Sequence, residues 1–154
     1  MFQFRLETAA TPAQVFEAFT DFSDRRLETW KGSLDPKKYE LRERGDQWAV
    51  CKEGSAPLNI WVVLRYEWEP PGTIRWSLVE SDHCGRGTGT IDITPAEASG
   101  SIVDATIDHA DPRGFRGRAI LGLQGLIGPL AFPRMWKKSL DRCAERGAGP
   151  SAQG

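Results

Sequence analysis

Alternation of apolar and polar residues dominates the middle of the chain and predicts a meander of β-strands. From Ile60 to Trp68 an apolar side chain recurs at every second position, which is the period of a half-buried strand. Turn residues such as Gly45-Asp46 and Pro70-Pro71-Gly72 separate such stretches. The short links favour an antiparallel sheet. Its predicted strands cover residues 39–44, 47–53, 58–68, 73–82, 89–94 and 101–109.

The first 38 residues predict one strand and two short helices. Residues 2–7 alternate apolar with polar side chains, so they predict a strand. Thr11 stands three residues before Gln14, with Pro12 at the first helical position, and this capping-box pattern predicts the start of a helix. A second, shorter helix is predicted to end near Trp30.

After Pro112 the chain is predicted to be helical to about Arg146. The later half carries an apolar stripe at helical spacing, formed by Phe132, Trp136, Leu140 and Cys143. The earlier half breaks the rules for a helix, because residues 113–128 contain five glycines. Each glycine costs a helix interior about 0.8–1.0 kcal/mol relative to alanine. Pro129 and Pro133 follow and predict a kink or a restart.

Two interpretations of the glycine-rich segment remain open. Between Ala119 and Phe132 only Gln124 is polar, so this stretch is expected to be buried or to contact something outside its own domain. It could form a compliant lid that admits a hydrophobic ligand and contacts a membrane surface or a second subunit through residues 114–132. Alternatively, the glycines permit close packing of the helix on the sheet.

The order of elements and one sequence stretch carry a resemblance to a known superfamily. Residues 11–22, which read Thr-Pro-Ala-Gln-Val-Phe-Glu-Ala-Phe-Thr-Asp-Phe, followed by Trp30, resemble the opening of SRPBCC proteins. These include START-like, birch-pollen-allergen-like and polyketide cyclase/dehydrase-like proteins. The resemblance implies an α+β helix-grip fold, a curved seven-stranded antiparallel sheet (β-α-α-β6-α) around a long C-terminal helix. We expect one domain over residues 1–147 and a disordered tail over 148–154.

The resemblance also implies a cavity for a small hydrophobic molecule between the sheet and the last helix. We expect inward strand residues and apolar helix residues to line it, in a space suited to an aromatic or isoprenoid ligand. The predicted lining residues are Trp48, Ile60, Val62, Leu64, Tyr66, Trp68, Trp76, Leu78, Val103, Ile107, Phe115, Leu123 and Leu126.

The two histidines of the chain are the candidates for chemistry. His83 and His109 follow or end strands that run in the same direction, so we expect them at one end of the sheet, about 10 Å apart. Imidazole titrates near neutral pH and either residue could act as a general acid or base, oriented by a neighbouring aspartate. Polar strand ends are also ordinary places for histidine, and no nucleophile–base spacing favours catalysis.

Three functions therefore stay open. A carrier or sensor of a small hydrophobic molecule is favoured, because it needs only apolar strand faces. A polyketide cyclase/dehydratase-type enzyme would use the same cavity together with a histidine. A protein-interaction module would need no ligand.

Charge and cysteine content narrow the classes further. Twenty Lys and Arg against 21 Asp and Glu give a net charge of -1, which argues against a nucleic-acid partner. No metal site is predicted, since the three cysteines form no CxxC pair and no HxxxH or EF-hand spacing occurs. No phosphate-binding signature occurs either, and we expect no cofactor. The unpaired cysteines, the lack of an N-terminal apolar leader and the lack of a long uncharged apolar run favour a cytoplasmic location.

Overall fold

The computed structural model describes residues 1–55 and 58–147, and over these ranges it contains seven strands and three α-helices. The strands are β1 (Phe2–Thr8), β2 (Glu40–Arg44), β3 (Trp48–Ser55), β4 (Ile60–Glu69), β5 (Thr73–Ser81), β6 (Cys84–Pro95) and β7 (Ser101–Pro112). The helices are α1 (Pro12–Thr20), α2 (Arg25–Thr29) and α3 (Gly114–Gly147), with a 3-10 helix at Pro36–Lys38. The predicted tail at 148–154 lies outside the described residues.

All seven strands belong to one antiparallel sheet, in the order β1-β7-β6-β5-β4-β3-β2. β1 joins the far end of the meander by pairing with β7, and α3 packs on the inner face of the sheet. This is the helix-grip architecture predicted from the sequence. Among the described residues, no helix has the length and hydropathy needed to cross a bilayer.

Local signals fix the first helix as predicted. Thr11 Oγ1 accepts a hydrogen bond from the Gln14 backbone N–H at 3.2 Å, and Gln14 Oε1 accepts one from the Thr11 N–H at 2.8 Å. This reciprocal pair satisfies two backbone donors at the helix start. The indole of Trp30 donates to the Ala18 carbonyl at 3.0 Å, which ties the end of α2 to α1.

Aromatic packing holds the later half of α3 on the sheet. The ring of Trp136 meets Phe4 of β1 at 5.1 Å and Phe19 of α1 at 5.2 Å between centroids. Trp136 and Leu140 are buried, and Phe132 and Cys143 pack against the same core, so the predicted stripe is confirmed.

α3 runs through Pro129 and Pro133 as one continuous helix, and the predicted restart is wrong. Pro129 supplies no N–H to the carbonyl of Gly125, four residues earlier. Gly125 is exposed, and water can therefore bond that carbonyl group.

A bulge in β5 decides which residues face inward at the end of the strand. β4 pairs Val63 with Glu80 but Leu64 with Leu78, and this leaves Val79 without a partner. The bulge shifts the alternation by one residue. Glu80 is consequently exposed, while Ser81 is buried.

Candidate functional site

A cavity of about 400 Å³ lies between the inner face of the sheet and the helices α2 and α3. Its walls come mainly from strands β3, β4, β5 and β7 and from one face of α3. The α3 residues Leu123, Ile127 and Met135 line it and are partly exposed. Cavities of this size suit small organic ligands.

Most of the residues predicted to line the cavity do so. Those in the wall are Ile60, Val62, Leu64, Tyr66, Trp76, Ile107 and Leu123, together with His83 and His109. Trp68, Leu78 and Val103 do not line it. They belong to the core or pack against it, and Trp68 stacks on Phe22 at 5.7 Å between centroids.

Trp48 lies on the outer face of the sheet, and its prediction as a lining residue is wrong. In β3 the inward residues are Ala49, Cys51 and Glu53, because Ala49 pairs with Tyr66. The guanidinium of Arg65 covers the Trp48 ring at 4.5 Å.

Phe115 and Leu126 are also misplaced by the sequence-based prediction. Both lie on α3, but they are 87% and 77% exposed. Leu123 and Ile127, one turn apart, occupy the cavity side instead. Because residues 119–132 are apolar on nearly every side of the helix, the sequence could not show which side chains face the cavity.

A buried charge network forms the first polar part of the cavity wall. Arg26 of α2 is 3% exposed and donates to Glu53 Oε1 at 3.0 Å and to the Phe19 carbonyl at 3.1 Å. Tyr66 Oη and Cys51 Sγ donate to the same Oε1, at 2.9 and 3.0 Å. Burial opposes the charge on Arg26, but Glu53 outweighs it and raises the guanidinium pKa.

This network keeps the neighbouring acids protonated. Burial and the Glu53 carboxylate raise the pKa of both the Cys51 thiol and the Tyr66 phenol. Both groups therefore act as hydrogen-bond donors at neutral pH. Sequence reasoning missed Arg26 and Glu53, although both line the cavity.

The second polar part of the wall is centred on His83, in the turn between β5 and β6. The side chain is fully buried, and its Nδ1 lies 2.8 Å from Asp82 Oδ1 and 3.0 Å from Ser81 Oγ. Asp82 also accepts from the Trp61 N–H at 3.2 Å and from Arg116 at 3.3 Å. Burial opposes ionisation of Asp82, yet these donors hold the pKa of its carboxyl below the usual value.

His109 sits beside His83, with the two ring centroids 6.3 Å apart. Its Nδ1 lies 3.3 Å from Gln124 Oε1 of α3. Burial lowers the pKa of His109, although the Gln124 hydrogen bond opposes this, and the imidazole is neutral near pH 7. The two histidines do meet at one end of the sheet, closer together than the spacing of the strands suggests.

His83, Cys84 and His109 also form a group that sequence spacing could not reveal. Their ligand atoms all lie within 4.8 Å of one another. Atoms bound to one tetrahedral zinc ion lie within about 4 Å of each other, so the group would have to contract to hold one. Burial raises the pKa of the Cys84 thiol, which disfavours the thiolate that a metal needs. The expectation of no metal stays a prediction.

Comparison of the sequence with protein-family models gives a match over nearly the whole chain. The family described as polyketide cyclase/dehydrase and lipid transport matches residues 1–148. No curated protein sequence matches this chain.

Several solved structures share the fold at low sequence identity. The Zhui aromatase/cyclase from Streptomyces sp. R1128 has a TM-score of 0.75 at 16% identity, with 97% of this chain and 96% of that chain covered. A STAR-related lipid transfer protein from Xanthomonas axonopodis has a TM-score of 0.67 at 16% identity, covering 88% and 82%. Norcoclaurine synthase from Thalictrum flavum, in complex with dopamine and hydroxybenzaldehyde, has a TM-score of 0.67 at 12% identity, covering 94% and 86%.

At such identities these structures support the fold, while the match over residues 1–148 establishes the family. The chain belongs to the polyketide cyclase/dehydrase and lipid transport family, within the SRPBCC superfamily.

Proposed function

We propose that this protein binds a small, mainly hydrophobic molecule in the cavity between the sheet and α3, as a carrier or sensor. The observation that carries the proposal is the 400 Å³ cavity, whose wall is largely apolar and aromatic. Its charged lining groups are Arg26 and Glu53, and its two histidines, His83 and His109, lie at the end of the wall where Gln124 of α3 also lines it. This combination suits an aromatic or isoprenoid skeleton with few polar substituents.

The relatives support the same class of ligand. One is named as a lipid transfer protein, and another holds dopamine and hydroxybenzaldehyde, which are small aromatic molecules. The aromatase/cyclase supports the alternative of a polyketide cyclase/dehydratase-type enzyme, which would use His83 or His109 in the same cavity. A module that only binds other proteins is the weakest candidate, because it would not need a ligand-sized cavity in its interior.

The cavity itself can be tested with two matched tryptophan substitutions on α3. Ala131 lines the cavity, whereas Ala119 is exposed. We expect wild type and Ala119→Trp to bind the fluorescent apolar probe N-phenylnaphthylamine alike. We expect Ala131→Trp to lose about tenfold or more in affinity, because the indole fills the space. Fluorescence titration measures this.

Equal binding by all three proteins would contradict the proposal. Native mass spectrometry of the purified protein adds the chemical class of any co-purifying molecule. A compound that is returned unchanged after incubation supports a carrier or sensor, while a cyclised or dehydrated product supports the enzyme.

We also propose that the outer face of α3 contacts an anionic membrane surface rather than a second copy of the chain. Three apolar side chains of this helix that do not line the cavity are strongly exposed, namely Phe115, Leu126 and Leu130, and Leu123, Ile127 and Met135 of the cavity wall are partly exposed. Residues 112–140 contain six Lys and Arg and no Asp or Glu. Two such surfaces would repel each other, whereas anionic lipid attracts each basic residue by about 1 kcal/mol.

Vesicle sedimentation can test this surface. We expect the protein to sediment with vesicles that contain phosphatidylserine, and to do so less with pure phosphatidylcholine or at high salt. Leu126→Asp should abolish most binding. Val79→Asp is the matched control, since Val79 is 60% exposed on β5 and away from α3. A concentration-dependent dimer that Leu126→Asp dissolves, without vesicle binding, would overturn the proposal.

The compartment stays a proposal as well. All three cysteines are free thiols, as the sequence predicted. Free thiols are typical of a reducing environment, and we propose a cytoplasmic location.

A further inference from the structure

The carboxyl group of Glu53 bonds the protein through one of its two oxygens. Arg26, Tyr66 and Cys51 all donate to Oε1, at 3.0, 2.9 and 3.0 Å. None of the hydrogen bonds found among the described residues reaches Oε2. Each oxygen of a carboxylate can accept about two hydrogen bonds, so Oε2 keeps its capacity for another partner.

This second oxygen is also accessible from the cavity. Among the described residues, two buried side-chain polar atoms lack a partner and are sealed from contact with solvent, Arg26 Nε and His83 Nε2. Oε2 of Glu53 is not one of them, and the Glu53 side chain keeps 11% of its surface exposed. Glu53 lies on the inner face of β3 and lines the cavity. A molecule in the cavity can therefore contact Oε2.

The charges around the cavity favour a neutral ligand. Arg26 and Glu53 are the only Arg, Lys, Asp or Glu side chains among the described residues that line it. A guanidinium group stays protonated in proteins, and Arg26 has Glu53 as its charged partner at 3.0 Å. Burial opposes the charge on Arg26, but the Glu53 charge outweighs it and raises the guanidinium pKa. The two charges cancel, so an ammonium or carboxylate group on the ligand would be buried without a counter-charge.

The protein holds this carboxyl group in place before a ligand arrives. The guanidinium of Arg26 donates to the Phe19 carbonyl at 3.1 Å and lies 4.2 Å from the centroid of the Phe22 ring. Arg26 in turn fixes Glu53 Oε1, together with the Tyr66 hydroxyl. With Oε1 anchored, the direction of Oε2 is set in advance, which reduces the entropy lost on binding.

We infer that Glu53 Oε2 accepts a hydrogen bond from a neutral hydroxyl group of the ligand, so that the cavity selects hydroxylated apolar molecules over amines and over analogues without a donor. This inference rests on the proposed binding function and adds the substituent that the ligand must carry. A site built to bond a hydroxyl group discriminates strongly against analogues that lack it, because the acceptor is then left without a partner.

The test compares β-naphthol with β-fluoronaphthalene, which share one ring system and differ at a small substituent that donates a hydrogen bond only in the naphthol. Isothermal titration calorimetry gives the ratio of the two affinities. In the triple variant Arg26→Met, Glu53→Leu and Tyr66→Phe this ratio should fall about tenfold or more, because a hydrogen bond to a charged group is lost. Tyr66→Phe is included because the Tyr66 hydroxyl, deprived of Glu53, would otherwise be available to bond the naphthol. The triple variant should still bind β-fluoronaphthalene.

The matched control applies the same kind of replacement to an exposed ion pair. Arg5 and Asp104 are bonded at 2.7 Å, and neither lines the cavity. Arg5→Met combined with Asp104→Leu should therefore leave the affinity ratio at its wild-type value. A third compound tests the charge argument, since β-naphthylmethylamine is protonated at neutral pH and should bind the wild type more weakly than β-naphthol.

Carbon-13 NMR of labelled glutamate carboxyl groups gives a readout on the wild-type protein, which does not depend on a variant folding correctly. The Glu53 signal should be that of an ionised carboxylate, and it should move further with β-naphthol than with β-fluoronaphthalene. An unchanged affinity ratio in a folded triple variant, amine binding as tight as naphthol binding, or a protonated Glu53 carboxyl would overturn the inference. Failure of the wild type to bind N-phenylnaphthylamine would instead contradict the proposed binding function.

Discussion

Replacing Glu53 with alanine is expected to lower the free energy of unfolding by about 3–5 kcal/mol, because it leaves the charge of Arg26 buried without a partner. Arg26 is 3% exposed, and Glu53 is its only charged partner among the described ion pairs. The substitution also removes the acceptor for the Tyr66 and Cys51 donors. Urea unfolding followed by tryptophan fluorescence measures the loss.

An exposed ion pair provides the control. Arg5 meets Asp104 through two hydrogen bonds, at 2.7 and 3.2 Å, but the two side chains are 66% and 42% exposed. We expect Asp104→Ala to cost at most about 1 kcal/mol, as is usual for surface pairs. If Glu53→Ala costs no more than Asp104→Ala, the guanidinium of Arg26 reaches water and the buried network is wrong.

The double replacement Arg26→Met with Glu53→Leu separates stability from function. Apolar side chains of similar size often replace a buried ion pair without loss of stability. The double variant should therefore unfold at a higher urea concentration than Glu53→Ala, and the remaining deficit from wild type should reflect the Tyr66 hydroxyl, which still lacks its acceptor. A stable double variant shows that the pair is not needed to hold the fold together, which would favour a role toward the ligand.

This network also marks a limit of reasoning from the sequence. Four consecutive residues of β3 are apolar, namely Trp48, Ala49, Val50 and Cys51. Both faces of the strand therefore carry apolar side chains, and alternation cannot show which face points to the core. If Trp48 and Val50 faced inward, Lys52 would be buried. If Ala49 and Cys51 faced inward, Glu53 would be buried. The structure buries Glu53, because Arg26 on a distant helix can pair with it. Arg26 precedes Glu53 by 27 residues, so the alternation of apolar and polar residues within β3 could not reveal this ion pair.

The order of strands β2 to β7, the capping box and the final stripe were predictable because each depends on near neighbours in the chain, whereas the place of β1 beside β7 was implied by the resemblance. The beginning of β6 was not, since Gly85, Gly87 and Gly89 have no side chains to show an alternation. The bulge at Val79 is likewise invisible in the sequence. Because of this bulge the Ser81 side chain points inward, where its hydroxyl group contacts the His83 ring and backbone.

The glycines of α3 left two interpretations open, a compliant lid or close packing on the sheet, and close packing accounts for only two of the four interior glycines. A Cβ on Gly117 would overlap the His83 carbonyl oxygen, and one on Gly128 would lie 2.8 Å from the Phe2 ring. These two glycines permit close packing of helix on sheet. A Cβ on Gly122 or Gly125 would meet nothing within 4 Å. Packing does not explain these two, and they remain candidates for a compliant lid.

Alanine substitutions should therefore have opposite effects along one helix. We expect Gly122→Ala and Gly125→Ala each to raise the free energy of unfolding by about 0.8–1.0 kcal/mol, which is the difference in helix propensity. We expect Gly117→Ala and Gly128→Ala to lower it by about 1–3 kcal/mol, because the methyl group is forced into occupied space. Urea unfolding of the four variants provides the comparison.

Hydrogen exchange then tests whether the open glycines serve motion. If residues 114–128 form a lid, their amides should exchange faster than those of β4 in the wild type. The combined Gly122→Ala and Gly125→Ala variant should slow that exchange and slow the release of N-phenylnaphthylamine, because the helix opens less often. Wild-type amides protected as strongly as β4, or release that is unchanged in a stabilised variant, would show that the helix does not gate the cavity.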